Sequence, residues 1–147
     1  MRVVLDSNIL VRGNPSARGP ARRLLLALGA PEHSLITSVA ILQEVARVLT
    51  YPRLRKRWRL TPNEEADYLN AVTDLSEVVS PIPGLSLMDQ DPDDDVIVAT
   101  ALAGRAQVLC TLDRHFFQSN VTKFCRDHDI EVLTDVALLG KLHSEKQ

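Results

Sequence analysis

The sequence alternates short apolar runs, rich in β-branched residues, with longer amphipathic segments, and this alternation constrains the fold more than any other feature. The apolar runs predict strands at residues 2–5, 35–36, 77–80, 107–110 and 130–133. The amphipathic segments predict helices at residues 20–28, 38–50, 62–75, 92–104, 120–128 and 135–142. Strands that alternate with helices form parallel sheets covered on both faces, so we expect a three-layer α/β/α sandwich with a central, mainly parallel sheet of about five strands.

Capping residues mark the starts of several predicted helices. Thr61-Pro62-Asn63-Glu64 is a capping box with proline at the first helical position. Thr37 or Ser38, Asp91 and Thr134 stand where other N-caps are expected. No repeat, linker or low-complexity segment divides the chain, so we expect residues 1–147 to form a single domain.

The composition excludes several classes of protein. No run approaches the ~20 apolar residues that span a bilayer, so we expect no membrane partner. The two cysteines, Cys110 and Cys125, form neither a CxxC motif nor a disulfide framework, which suits a reducing, cytoplasmic setting. The four histidines are scattered without the spacing of zinc ligands.

Charges of opposite sign are segregated along the chain, although the net charge is only −2. Residues 47–59 carry six cations and no acid, whereas residues 89–95 carry five acids and no cation. A protein that binds nucleic acid by charge alone is expected to be basic throughout. The segregation instead favours a protein that holds a metal ion beside a polyanion.

Four separate segments each contribute an acidic residue that is a candidate for one shared site. Asp6 and Asp113 follow predicted strands, and the carboxyl ends of parallel strands are where such folds bind ligands. Asp6 is equally well interpreted as a helix cap. Glu44 lies at the margin of an apolar helix stripe, where it either turns towards the sheet or remains a surface residue. Asp113 is alternatively a turn residue paired with Arg114.

The fourth segment places three acids, Asp93, Asp94 and Asp95, in the first turn of a helix. One or two acids suffice to cap free N–H groups and complement the helix dipole, so the excess requires another explanation. Two carboxylates about 4 Å apart repel by roughly 4 kcal/mol at an effective dielectric near 20. Mg²⁺ or Mn²⁺ relieves such repulsion, prefers oxygen ligands and activates water for hydrolysis of phosphodiesters.

Four stretches of the sequence, in order, resemble the four acidic motifs of PIN-domain ribonucleases, particularly the VapC-like toxins of prokaryotic toxin–antitoxin pairs. They are residues 3–10 (VVLDSNIL), 37–38 (TS) with 42–45 (LQEV), 93–101 (DDDVIVATA) and 108–116 (VLCTLDRHF). The resemblance covers residues 1 to about 140. It implies the PIN-like α/β/α fold and a Mg²⁺- or Mn²⁺-dependent endoribonuclease that acts on single-stranded or loop RNA. It also implies a homodimer held inactive by a cognate antitoxin.

The resemblance assigns roles to particular residues. The implied metal ligands and catalytic residues are Asp6, Glu44, Asp94 and Asp113. The implied supporting residues are Asn8, Ser38 and Thr111. Asp94 is chosen by its register with Ala99-Thr100-Ala101, so Asp93 and Asp95 remain alternatives. The family often carries a second acid two residues after the last motif aspartate, and here His115 occupies that position.

The basic segment is a candidate RNA-binding surface. Its cations surround an aromatic residue, a combination that suits phosphate contacts and base stacking: Arg53, Arg55, Lys56, Arg57, Trp58 and Arg59. The alternative is a solvated loop with Trp58 packed inward. His115 is a candidate general acid–base or simply an exposed histidine.

Two other functions remain open at this stage. The first is a non-catalytic PIN-like module that binds RNA or protein, although all four motif acids are present. The second is a phosphatase-type hydrolase with Asp6 as its nucleophile. Haloacid-dehalogenase phosphatases usually carry another aspartate two residues after the nucleophile, and here that position is Asn8.

Overall fold

The computed structural model describes residues 1–88 and 92–146, which form a five-stranded parallel sheet flanked by helices. The strands are β1 (Arg2–Leu5), β2 (Ser34–Thr37), β3 (Ser76–Val78), β4 (Val108–Cys110) and β5 (Glu131–Leu133). The helices are α1 (Ser7–Arg12), α2 (Pro20–Ala27), α3 (Val39–Leu49), α4 (Pro52–Trp58), α5 (Pro62–Leu75), α6 (Pro92–Ala103), α7 (Ser119–Asp127) and α8 (Asp135–Glu145). A short 3₁₀ helix, Arg114–Phe117, follows β4. The α/β/α fold predicted from the sequence is confirmed.

The strand order is β3-β2-β1-β4-β5, and every neighbouring pair is parallel. The first strand therefore lies at the centre, and the chain winds outward from it in both directions. Ligands bind parallel sheets at such a reversal of strand order, beyond the carboxyl ends of the strands. Here that point lies between β1 and β4, which Asp6 and Thr111 directly follow.

Both faces of the sheet are covered. Successive residues of a strand point to opposite faces, yet Val3, Val4 and Leu5 are all at most 1% exposed. The three residues of β4 are equally buried. Helix α6 packs against β1, β2 and β4, which carries its amino-terminal acids to the same sheet edge as Asp6. Within the described residues, no helix is both long and apolar enough to cross a membrane.

The predicted caps are formed in part. Thr61 and Glu64 make both hydrogen bonds of the capping box, and Thr134 accepts the N–H of Ala137. Ser38 occupies the N-cap of α3, but its hydroxyl does not bond the helix backbone. The predicted cap Asp91 lies outside the described residues, as does Asp89.

Two helices differ from the sequence-based expectation. Helix α1 follows β1 after a single residue, Asp6, whereas the sequence offered Asp6 as a turn or cap residue without placing a helix after it. Helix α4 forms where the alternative interpretation expected a loop. Its apolar side consists only of Leu54 and Trp58, four positions apart, so it has too little periodicity to be detected beside its many cations.

Candidate functional site

Asp6 is a buried carboxylate at the centre of the sheet edge. It is 4% exposed, caps α1 by accepting the Ser7 N–H at 2.7 Å, and accepts a 2.7 Å hydrogen bond from the Thr111 hydroxyl. Burial raises the pKa of Asp6, the hydrogen bonds from Thr111 and Ser7 lower it, and the charges of Glu44 and Asp113 raise it further. The cap interpretation of Asp6 is therefore correct, and the same carboxylate also lies within the field of two other acids.

The predicted supporting residues Asn8 and Thr111 connect this carboxylate to β4. Asn8 donates its amide Nδ2–H to Asp6 at 3.3 Å, and its Oδ1 lies 3.4 Å from the Leu112 nitrogen. The Thr111 oxygen also accepts the Asp113 N–H at 3.0 Å. The two side chains therefore fix the position of Asp6 relative to the loop that carries Asp113.

Asp113 pairs with His115 in the described structure, and not with Arg114 as one interpretation of the sequence expected. Its Oδ1 accepts the His115 N–H at 2.9 Å and lies 3.1 Å from the His115 Nδ1. Oxygen atoms of Asp94 and Asp113 and a ring nitrogen of His115 all lie within 4.8 Å of one another. Sequence reasoning placed the two acids together, but it did not include the histidine in this group.

The three adjacent acids of α6 take three different positions. Asp95 is 8% exposed, and its Oδ1 accepts the backbone N–H groups of Leu87 and Met88 at 3.1 and 2.9 Å. Asp95 therefore holds Leu87 and Met88 against the start of α6. Asp93 is exposed and faces a neighbouring groove of about 300 Å³, on the other side of Glu44. Asp94 is the member of the triplet that lies beside Asp113.

Glu44 lies on α3 with its side chain 38% exposed and 3.7 Å from the Arg47 guanidinium. The sequence offered Glu44 either as turned towards the sheet or as a surface residue. Its side chain lies between these two descriptions, since it is half-buried and faces two grooves. The Ser38 and Thr100 hydroxyls, both fully buried, lie 3.0 Å apart and join the start of α3 to α6. Ser38 therefore links the helix of Glu44 to the helix of Asp94.

A single cleft of about 380 Å³ brings the four predicted acids together. Its acidic lining is Asp6, Glu44, Asp94 and Asp113. The cations and the aromatic residue that face them are Arg12 from α1 and Arg53, Arg57 and Trp58 from α4. Of the predicted RNA-binding residues, Arg55, Lys56 and Arg59 lie outside this described lining. The cleft thus combines an acidic floor with a basic wall.

The donor set of the cleft fits a divalent cation. It consists of carboxylate oxygens, the ligands that Mg²⁺ and Mn²⁺ prefer, and two of these acids approach within 4.8 Å. The mutual repulsion of Asp6 with Glu44 and Asp113 adds to the raised pKa of Asp6, and a bound cation relieves such repulsion.

Comparison with known families gives an independent classification. A family model described as PIN domain matches residues 2–115, so the chain belongs to the PIN-domain family. Its fold is also similar to a chain in the crystal structure of VapBC2 from Rickettsia felis bound to a DNA fragment from their promoter. That match has a TM-score of 0.59 at 15% identity and covers 91% of this chain and 98% of that chain. A search of curated proteins finds no match.

Proposed function

We propose that this chain is a Mg²⁺- or Mn²⁺-dependent endoribonuclease and the toxin of a toxin–antitoxin pair. The observation that carries the proposal is the convergence of Asp6, Glu44, Asp94 and Asp113, from four separate segments, on one cleft with a basic wall. Membership of the PIN-domain family supports a nuclease, and the similarity in fold to VapBC2 supports the toxin assignment. We further propose that residues 1–147 act as one unit, in the cytoplasm, as a homodimer bound by an antitoxin.

The side chains of the cleft divide the work of hydrolysis. Asp6, Glu44, Asp94 and Asp113 would hold the cation, which supplies activation of water and stabilisation of the charge that develops on the phosphate. Thr111 and Asn8 hold the Asp6 carboxylate in a fixed orientation, so that little reorganisation accompanies the reaction. Arg12, Arg53 and Arg57 bind the flanking phosphates, and Trp58 offers a face on which a base can stack.

Cleavage of a mixed RNA pool with Mg²⁺, with Mn²⁺ or with EDTA tests this proposal. The wild type is compared with Asp6→Asn and with Asp67→Asn, which removes an equal charge from an exposed position on α5. We expect metal-dependent cutting that Asp6→Asn abolishes and Asp67→Asn retains. Cutting that persists in Asp6→Asn would place the activity elsewhere.

A binding experiment separates the enzyme from the non-catalytic alternative. If the wild type binds Mn²⁺ by calorimetry and binds RNA but cuts none, the chain is a binding module. If it binds neither, the assignment of the cleft is wrong. Induced expression in a bacterial host tests the toxin assignment, since we expect arrest of growth with the wild type and normal growth with Asp6→Asn.

A further inference from the structure

Helix α4 carries two of the three arginines of the basic wall but is weakly anchored by apolar contacts. None of its residues is fully buried, and only Leu54 and Trp58 are partly buried against the core. Arg53 and Arg57, one helical turn apart, both face the cleft. A helix of seven residues is too short to be stable by itself, so its position depends on the contacts that hold it to the rest of the fold.

Arg55 makes the strongest of these contacts. Its Nε and Nη2 donate to the two carboxylate oxygens of Glu65 at 3.0 and 2.8 Å, a bidentate pair between α4 and α5. Glu65 is only 6% exposed, and this hydrogen bonding raises the pKa of Arg55. A buried carboxylate that loses its partner is strongly unfavourable, and the planar guanidinium fixes orientation as well as distance.

The helix geometry separates Arg55 from Arg53 and Arg57, which lie two positions before and after it on α4. At about 100° per residue, a side chain two positions away points roughly 200° around the helix axis. Arg55 therefore lies on the opposite side of α4 from Arg53 and Arg57. Its Nε and Nη2 groups donate to Glu65 on α5, while Arg53 and Arg57 line the cleft.

We propose that the Arg55–Glu65 pair positions α4 over the acidic cleft, and that Arg55 is a positioning residue rather than a phosphate contact. The identity of the ligand as RNA rests on the proposed function, whereas the positioning of α4 does not. Removal of the pair releases α4 from α5, and Arg53, Arg57 and Trp58 then no longer converge with the acids.

Trp58 gives a direct signal for this positioning. It is the only tryptophan of the chain and lies on α4, half-buried, with the Arg57 guanidinium 5.1 Å from its ring centre. Its fluorescence therefore reports the environment of α4 without reference to catalysis. We expect Arg55→Lys and Glu65→Gln to shift its emission to longer wavelength and to increase its quenching by acrylamide, with the far-ultraviolet circular dichroism preserved.

Binding of a fluorescein-labelled single-stranded RNA, measured with all proteins in the Asp6→Asn background, separates positioning from contact. If Arg55 were a phosphate contact, Arg55→Lys would retain its charge and bind normally, and Glu65→Gln, with one negative charge fewer, would bind more tightly. We instead expect both variants to bind about tenfold more weakly, from the loss of a stacked base. We also expect the slope of log K against log salt to fall by roughly 1.4, from the loss of two phosphate contacts.

Two control variants make the same chemical changes at exposed positions. Arg126→Lys, on α7, matches Arg55→Lys, and Asp67→Asn, on α5, matches Glu65→Gln. We expect neither to change Trp58 fluorescence. An unchanged Trp58 signal in Glu65→Gln, or tighter RNA binding by that variant, overturns the inference. A shifted Trp58 signal in a protein whose Asp6→Asn parent binds no RNA supports the positioning of α4 and refutes the RNA ligand.

Discussion

Asp94 and Asp95 are adjacent and chemically identical, yet the structure predicts opposite consequences for the same substitution at each. Asp95→Asn removes the charge of the carboxylate that accepts the Leu87 and Met88 N–H groups. Asp94→Asn removes one of two acids that lie beside each other in the cleft. We expect the first variant to lose stability and keep Mn²⁺ binding, and the second to lose binding at the proposed metal site and keep stability.

The magnitudes follow from the contacts. A hydrogen bond to a charged acceptor contributes about 1 kcal/mol more than one to a neutral acceptor, so the two bonds of Asp95 together lose about 2 kcal/mol in Asp95→Asn. In a chain of this size that loss lowers Tm by roughly 4–8 °C. Asp94 and Asp113 lie within 4.8 Å. At that separation they repel by about 3.5 kcal/mol at an effective dielectric of 20, of which solvent screening leaves about 1 kcal/mol.

Urea unfolding followed by circular dichroism in EDTA measures the first quantity, and calorimetric titration with Mn²⁺ measures the second. We expect the free energy of unfolding of Asp94→Asn to equal or exceed that of the wild type, with Mn²⁺ binding reduced at least about tenfold. We expect Asp95→Asn to bind Mn²⁺ as the wild type does. The reverse pattern, a stable Asp95→Asn that fails to bind metal, would refute the assignment of the triplet.

Two further predictions concern the buried acid and the packing of the sheet. Burial raises the pKa of Asp6 in the folded state above its unfolded value of 3.8, so the folded state binds the carboxyl proton more tightly. The stabilisation from this proton is fully present below pH 3.8 and is lost as pH rises through the folded pKa. Without metal, Asp6→Asn should therefore unfold at higher urea than the wild type at pH 7, and the difference should vanish as pH approaches 3; a difference independent of pH would contradict this. A Cβ at Gly104 would overlap the Ile36 side chain, so Gly104→Ala should cost about 3 kcal/mol in urea unfolding. Gly140→Ala, in the open on α8, should instead add about 0.5–1 kcal/mol, and equal effects of the two changes would rule out the packing argument.

The local parts of the fold were predictable because each carries its own signal in the sequence. The capping box at Thr61 and the apolar strand before Asp6 require no tertiary information, and both are confirmed. The ends of parallel strands predicted that Asp6 and Asp113 lie at one edge of the sheet, and the resemblance to PIN-domain ribonucleases added Glu44 and Asp94 to the same site. Register with residues 99–101 selected Asp94 from its triplet, but the contacts of Asp95 were not predictable, because they depend on which acid meets the loop at Leu87 and Met88.

The interpretation of the basic segment needed contacts between distant elements. The cations of residues 53–59 look equivalent in the sequence, but Glu65 pairs with Arg55 from the next helix. Glu65 is only 6% exposed, but exposed acids lie on either side of it along α5. The sequence therefore gives no sign that Glu65 is buried. Proline at the first position of α4 and the spacing of Leu54 and Trp58 were the only indications of that helix.

The central position of β1 has a consequence for the order of events during synthesis. Asp6 is made well before its partner Thr111, which lies 105 positions later in the chain. Until β4 has been translated and has paired with β1, the Asp6 carboxylate has neither that hydroxyl nor Asp113 nearby, and no cleft exists. The proposed activity consequently requires that β4 has been translated and has paired with β1, because the site combines residues from both ends of this long separation.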